Sequence, residues 1–259
     1  MPRLTAEVLL CHALRCERAH LYAHGDEALP ELGWIHYGRY LNERLNGKPT
    51  QYITHGQEFF GREFYVNADV LIPRPETEHL VEAAIAYLRE RSNTRVIDIG
   101  TGSGAIAVSV ALESGIPVFA SDISIRALAV AERNRRRHSA RVEFFAGDIL
   151  TAVRPQSLDV VLSNPPYVPS TDSANLQAEV RDWEPAIALF GGPTGFDVYA
   201  RLISSAEVAL KPGGRMMLEL GYQSLDRVRE MLAVNWTAIE VTHDLAGLPR
   251  VLGATLAIR

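Results

Sequence analysis

The residues with the clearest chemical potential stand directly after an apolar stretch at 158–163, and in order they are Asn164, Pro165, Pro166 and Tyr167. Proline fixes φ at about −65° and has no backbone N–H, so this segment is stiff and presents mainly carbonyl acceptors. The side-chain oxygen of Asn164 and the carbonyl of Pro165 can accept two N–H bonds from a planar NH2 group, while the Tyr167 ring covers its flat face. Because Asn-Pro is also a common turn dipeptide, the motif alone leaves a plain turn open.

A glycine-rich loop lies upstream, between a β-branched run at 95–99 and a helix-like stretch at 105–112. This order is typical of the cofactor crevice of an open α/β sheet, where glycine permits positive φ and close approach of a ligand to the backbone. Gly100, Gly102 and Ala105 also fit the dinucleotide fingerprint, so the loop predicts a nucleoside cofactor without saying which nucleoside. An acidic residue after the next apolar run can accept from the ribose hydroxyls. The candidate cofactor residues are Gly100, Thr101, Gly102, Ser103, Gly104 and Asp122.

Taken together, these motifs resemble the S-adenosylmethionine-dependent methyltransferases. The glycine loop follows the first predicted strand of the sheet, Asp122 the second, Gly147-Asp148-Ile149 the third and Asn-Pro-Pro-Tyr the fourth. In such enzymes the last motif is a signature of methylation at planar nitrogens, either a glutamine amide or the exocyclic amines of bases. The resemblance implies that the loop and Asp122 hold the methionyl and ribose parts of S-adenosylmethionine, and that Asp148 and Ile149 flank its adenine.

Further blocks are similar to the peptide chain release factor glutamine methyltransferases, in that family's order. They lie at 48–53, 58–61, 70–78, 183–195 and 244–250. The resemblance implies a glutamine of class I peptide chain release factors as substrate, S-adenosylmethionine as methyl donor and S-adenosylhomocysteine as product. It also implies an active-site entrance near Pro73, formed by Arg74, Glu76 and Glu78, although acids in a first helical turn also fit the helix dipole.

A glutamine amide nitrogen is a poor nucleophile, because its lone pair is delocalised into the carbonyl. Deprotonation by a side chain is difficult near neutral pH, so we expect catalysis by orientation of the amide toward the methyl group. Positioning of two reactants lowers a barrier by about 7–11 kcal/mol. We therefore predict catalytic roles for Asn164, Pro165 and Tyr167. Pro166 completes the substrate-binding motif, and Asn164 is expected to contact the cofactor as well.

Composition narrows the class of protein. The 259 residues are 47% hydrophobic and 22% charged, as in a globular protein with a sizeable core. A formal net charge of −5 argues against broad nucleic-acid binding, and the basic run at 133–137 is expected to be a solvated helix end, with a contact to RNA-rich surroundings as the alternative. With only Cys11 and Cys16 we expect no disulfide scaffold and a cytoplasmic protein. Without Cys/His clusters or a long apolar run, we expect neither a metal nor a membrane span.

The order of predicted elements indicates an α/β fold, a doubly wound and mostly parallel seven-stranded sheet of the Rossmann-like methyltransferase type. The polar connection at 171–195 is expected to wall the substrate pocket. Predicted strands lie at 95–99, 117–121, 141–145, 158–163, 214–220, 236–242 and 251–258. The predicted divisions are a small N-terminal helical domain at 1–48, for partner recognition or mere support, a hairpin-like linker at 49–76 and a methyltransferase domain at 77–259.

Other functions stay open at the level of sequence. A nucleic-acid amine methyltransferase shares the Asn-Pro-Pro-Tyr motif, although the acidic balance and the block at 73–78 speak against it. A non-catalytic nucleoside-binding or adaptor protein is disfavoured because the motif is intact. A dehydrogenase would have no use for acceptors that fit an NH2 group.

Overall fold

The computed structural model describes residues 2–232 and 234–258. Its N-terminal region is helical, as expected, with a break before Pro30 and an end at Gly47, where φ is +89°. The first and third helices pack on each other and help to bury Leu9 completely. The helices are α1 (Pro2–Leu14), α2 (Arg18–Ala23), α3 (Glu31–Leu45) and α4 (Thr50–Thr54).

The segment predicted as a hairpin-like linker contains both a helix and a hairpin. Strands β1 (Gln57–Phe59) and β2 (Arg62–Phe64) pair antiparallel. The aromatic and β-branched residues before them form α4, because the amides of Tyr52 and Ile53 both donate to the Pro49 carbonyl and both side chains are buried. Tertiary packing here overrides strand propensity.

The central sheet confirms the predicted α/β class. Its seven strands run in the order β5-β4-β3-β6-β7-β9-β8; the first five in this order are parallel, and β9 is antiparallel to both of its neighbours. The strands are β3 (Val96–Ile99), β4 (Val118–Asp122), β5 (Val142–Ala146), β6 (Leu158–Ser163), β7 (Leu210–Glu219), β8 (Trp236–His243) and β9 (Pro249–Leu256).

Two details of the chain differ from the expectation. Strand β7 begins at Leu210, before the predicted start at 214, and shifts register opposite β6 between Leu158 and Val160. The connection predicted at 171–195 is not structureless, because a 3₁₀ turn at Ser170–Asn175 is followed by two short helices. The remaining helices are α5 (Glu78–Leu88), α6 (Ala105–Ser114), α7 (Ile125–His138), α8 (Ala178–Trp183), α9 (Ala186–Leu189), α10 (Asp197–Ala209) and α11 (Leu225–Met231).

Apolar side chains alternate between the two faces of the sheet, as strand geometry requires. Val160 and Leu162 belong to the cluster under α5 and α6, whereas Val161 belongs to the cluster under α10 with Tyr199 and Leu202. After β3 the chain adds β4 and β5 toward one edge of the sheet, and it then crosses back to place β6 on the opposite side of β3. The carboxyl ends of β3 and β6 therefore flank a topological switch point, where ligands bind in open α/β sheets.

The basic run lies at the end of α7, as predicted. Arg135 and Arg136 both pair with Glu132, and Arg137 pairs with Glu63 of the hairpin. Arg133 stacks over the Tyr65 ring at 3.5 Å. The first two ion pairs lie within α7, and the third joins α7 to the hairpin. None of the described helices is long and apolar enough to cross a membrane.

Candidate active site

A cavity of about 270 Å³ opens at the switch point, and most of the residues predicted from sequence meet there. It is bounded by the glycine loop on one side and by the segment after β6 on the other. Thr101, Ser103, Gly104 and Tyr167 do not line it directly. The predicted residues that do line it are Gly100, Gly102, Asp122, Asp148, Ile149, Asn164, Pro165 and Pro166.

The glycine loop leaves its backbone open toward this cavity. Gly100 and Gly102 have φ of +70° and +55°, and a Cβ added at either position would meet nothing within 4 Å. At Gly104, with φ of +80°, a Cβ would lie 3.1 Å from the Cβ of Ala131 on α7. The first two glycines therefore keep space free for a ligand, which fits a cofactor against the backbone, and the third permits helix packing.

Asp122 fixes the loop and faces the cavity. Its Oδ2 accepts from the Gly102 amide at 2.9 Å, and its Oδ1 accepts from the Ser124 amide at 2.8 Å. Burial raises the pKa of this carboxyl. Because a carboxylate oxygen has more than one lone pair, the side chain can still accept from hydroxyl groups in the cavity.

Asp98 supports the same loop from within the sheet, a role that the sequence analysis missed. It is fully buried on β3, and its Oδ2 accepts from the Thr101 hydroxyl at 2.6 Å. Burial raises the pKa of Asp98 to about 7. The Thr101 side chain is thus turned inward, so only its backbone is available to a cofactor. An acidic residue inside an apolar strand was the signal in the sequence.

Asp148 and Ile149 lie at the cavity on the turn after β5. Arg201 of α10 donates to the Asp148 carboxylate at 2.5 Å. Ile149 adopts φ of +55°, which is a genuine outlier for a β-branched residue. Such strain clusters at ligand-binding sites, and here it holds an apolar side chain at the cavity wall.

The Asn-Pro-Pro-Tyr segment is anchored at both ends. Before it, the Ser163 hydroxyl donates to the Ile99 carbonyl at 2.8 Å, which joins the ends of β6 and β3. The Asn164 amide nitrogen donates to the Thr77 hydroxyl oxygen at 3.1 Å. Tyr167 packs on the backbone of Gly221, where an added Cβ would approach its ring to 2.6 Å. Burial raises the pKa of Tyr167 to about 12, so its hydroxyl stays protonated.

Each of the three residues expected at the entrance contacts another part of the protein. Arg74 pairs with the buried Glu184 carboxylate, which also accepts from the Ile72 amide at 3.2 Å, so this pair joins the segment before α5 to the connection after β6. Glu78 accepts from the Phe60 amide at 2.9 Å and serves to hold the hairpin. Glu76 lies 4.0 Å from Arg250, which also pairs with Asp244 at 2.8 Å.

No set of three or more His, Cys, Asp or Glu side chains in residues 2–232 and 234–258 is arranged to hold a metal ion. What the site offers instead is an open backbone cradle beside a rigid row of acceptors. The first suits a nucleoside cofactor, and the second suits a planar nitrogen donor.

The chain matches two family models. The methyltransferase small domain matches residues 78–180, and the PrmC N-terminal domain matches residues 1–54. Among solved structures, a methyltransferase from Pyrococcus furiosus is similar with a TM-score of 0.60 at 19% identity, covering 85% of this chain and 100% of that one. That similarity concerns the fold.

Similarity to curated proteins extends over nearly the whole chain. It is 44% identical over 253 residues to the release factor glutamine methyltransferase of Koribacter versatilis, covering 97% of this chain and 90% of the relative. It is 43% identical over 255 residues to the protein of the same name from Neisseria gonorrhoeae, covering 97% and 92%. The chain therefore belongs to the release factor glutamine methyltransferase family.

Proposed function

We propose that this protein transfers the methyl group of S-adenosylmethionine to the side-chain amide nitrogen of a glutamine in class I peptide chain release factors. The observation that carries the proposal is the single cavity shared by the glycine loop and the Asn-Pro-Pro segment. A methyl donor held at the first would face an amide held at the second. A substrate that takes part in translation implies that the reaction occurs in the cytoplasm.

In this proposal the glycine loop and Asp122 hold the methionyl and ribose parts of the donor. The carboxylate of Asp122 would accept from the ribose hydroxyls, and such charge-assisted bonds are worth about 1.5–3 kcal/mol each. Asp148 and Ile149 would flank the adenine. The bound donor supplies an electrophilic methyl group on a sulfonium, and this is the only chemistry it needs to supply.

The substrate amide would be held by acceptors that the protein keeps rigid. The Asn164 side-chain oxygen and the Pro165 carbonyl accept its two N–H groups, and Pro166 stiffens the backbone beyond them. Tyr167 supports this row from behind, through its packing on Gly221. Hydrogen bonds from the nitrogen strengthen as it gains positive character, so they stabilise the transition state more than the ground state. The released proton can pass to water after transfer.

We also propose that the helical region at 1–48 recognises the protein substrate, with 49–76 as the linker and 77–259 as the methyltransferase domain. Helix α3 supports this role, because it exposes large apolar side chains outside the sheet domain. These are Leu32, Trp34 and Ile35, which are 70%, 64% and 56% exposed.

The test is methyl transfer from labelled S-adenosylmethionine to purified release factor, with RNA as a parallel acceptor. We expect label on the release factor, and none on a release factor whose target glutamine is replaced by alanine. Label on RNA but not on protein would instead indicate a nucleic-acid amine methyltransferase. Binding of the donor without transfer to either acceptor would favour a non-catalytic role.

A further inference from the structure

A buried carboxyl group lies against the Asn-Pro-Pro-Tyr segment, and the mechanism above does not use it. Glu219 is the last residue of β7 and is 3% exposed. The side chains of Thr77 and Asn164 face this carboxyl as possible donors and lower its pKa against the effect of burial, while its Oε2 has no hydrogen-bond partner among the described residues. Thr77 is itself 4% exposed and precedes α5. Three elements that are distant in sequence thus converge behind one amide.

The hydrogen-bonding capacity of these groups fixes the direction of every bond between them. An ionised carboxylate only accepts, so the Thr77 hydroxyl is the donor in the contact by which it lowers the pKa of Glu219. The Thr77 oxygen is then left to accept, and it does so from the Asn164 amide nitrogen at 3.1 Å. Because that nitrogen faces Thr77 and Glu219, the Asn164 side-chain oxygen is the atom left for a ligand.

We propose that Glu219 and Thr77 are positioning residues, which hold the Asn164 amide with its nitrogen toward the protein and its oxygen toward the substrate. This inference rests on the proposed function, since the substrate group to be accepted is an NH2. If the Asn164 amide were reversed, its NH2 group would face the NH2 group of the substrate, and neither could accept a hydrogen bond from the other. The carboxylate therefore determines whether the site accepts from an amide nitrogen or repels it.

Stability does not explain a carboxyl group at this position. A buried polar atom without a partner destabilises the folded state, and Oε2 is such an atom. Glutamine has nearly the same shape and no charge to desolvate. We therefore expect Glu219→Gln to melt at the same temperature as the wild type or higher, whereas a merely structural carboxylate would lower the melting temperature when replaced.

Protonation of Glu219 gives a second signature. Burial raises its pKa to about 7. The protonated carboxyl can donate to the Thr77 oxygen, which frees the Thr77 hydroxyl to donate to the Asn164 oxygen and permits the reversed amide. Turnover is therefore expected to fall as pH drops through about 7, and this limb should vanish in Glu219→Gln. The charged or titratable groups that surround the carboxyl are Glu76, Tyr167, Tyr199 and Arg250.

The experiment measures kcat, the KM for release factor and the dissociation constant for S-adenosylmethionine in five proteins: the wild type, Glu219→Gln, Thr77→Val, Thr77→Ser and the Glu219→Gln/Thr77→Val double variant. We expect kcat to fall about 100-fold in the first two single variants, as for a reactant group held about 1 Å out of place. Thr77→Ser keeps the hydroxyl and should retain most activity. The double variant should be no slower than the slower single variant, because both break one chain.

Three results would overturn the inference: an unchanged kcat and acid limb in Glu219→Gln, a lower melting temperature with proportionate loss of donor binding, or multiplicative losses in the double variant. If the wild-type protein methylates no release factor, the proposed function is wrong, and the inference about positioning is not tested by turnover. In that case, the NMR signals of the Asn164 side-chain NH2 report whether Glu219 and Thr77 position the amide. These should shift with a midpoint near pH 7 in the wild type and stay fixed in Glu219→Gln, and signals that titrate alike in both proteins would refute it.

Discussion

Asn164 is the residue on which the proposed chemistry depends most directly. Its backbone follows β6 at the switch point, its amide nitrogen is taken by Thr77, and it lines the cavity that the glycine loop also lines. A side chain with one end occupied by the protein and the other free can distinguish a hydrogen-bond donor from an acceptor. The two following prolines keep it from moving away.

Replacement of Asn164 by alanine removes one of the two acceptors for the substrate amide. We expect kcat to fall about 100–1000-fold, the loss typical of one transition-state hydrogen bond in a water-excluded site. Asn93→Gly is the control, because Asn93 is exposed in the connection between α5 and β3, outside the cavity lining and outside the helical region at 1–48. Labelled methyl transfer to release factor measures both, and near-normal turnover of Asn164→Ala would refute the orienting role.

At the scale of elements, the glycine loop joins β3 to α6 and lines the side of the cavity where we propose that the cofactor binds. Its predicted function depends on space that the protein itself leaves open at Gly100 and Gly102. Gly115, at the other end of α6, provides a comparison, since it has φ of +69° and equally open surroundings but lies away from the cavity.

Gly102→Ala and Gly115→Ala should therefore cost similar stability, about 1–2 kcal/mol each, because both force alanine into the left-handed region. Of the two, only Gly102→Ala adds a methyl group at the cavity in which we propose that the cofactor binds. We expect its dissociation constant for S-adenosylmethionine, measured by calorimetry, to rise at least tenfold, and that of Gly115→Ala to stay at the wild-type value. Equal affinities in the two variants would show that the loop does not contact the donor.

Sequence patterns predicted the helices and strands better than they predicted which distant residues meet in the folded protein. The predicted strands overlap all seven strands of the described sheet. Residue chemistry singled out Asn164, Asp122 and the open glycines, which line one cavity, although their roles there remain proposals. Helix α4 was missed because burial of Tyr52 and Ile53 decides its conformation, not propensity. Glu219 was missed for a different reason. Its neighbours are far apart in sequence, and only the order of strands in the sheet brings them together.

For the whole molecule, the buried carboxyl groups predict how stability varies with pH. The pKa of Glu219 is about 7 in the folded protein and near its ordinary value of 4.5 in the unfolded chain. Between these values the folded state binds more protons than the unfolded state, so this residue makes stability fall as pH rises. His12, whose pKa burial lowers, acts in the opposite direction.

Comparison of the wild type with Glu219→Gln isolates the contribution of this one group. Urea unfolding at pH 5.5 and 7.5 should show that the wild type loses about 1–2 kcal/mol more than the variant over that interval. The two proteins share every other titrating group, so those contributions cancel. An identical change in both would mean that the carboxyl titrates with its ordinary pKa.

The helical region adds a prediction about the protein partner. Trp34→Ala should raise the KM for release factor about tenfold, as expected for an aromatic anchor at an interface, and leave kcat and donor affinity unchanged. Val208→Ala is a fitting control, because Val208 is 57% exposed on α10 in the sheet domain. Steady-state kinetics with intact release factor separates the cases. Equal KM values for both variants would assign α3 another role.

The hydrogen bond between Thr77 and Asn164 also bears on how such proteins can be recombined. Thr77 stands at the junction between the linker and the sheet, on the last turn before α5. If the N-terminal region were exchanged for that of another protein with the crossover one residue too late, Thr77 would be replaced as well. The Asn164 amide would then lose its hydrogen-bond partner. The region proposed to recognise the partner and the domain proposed to perform the transfer thus meet at one threonine, and we expect recombined proteins to stay active only when the crossover keeps it.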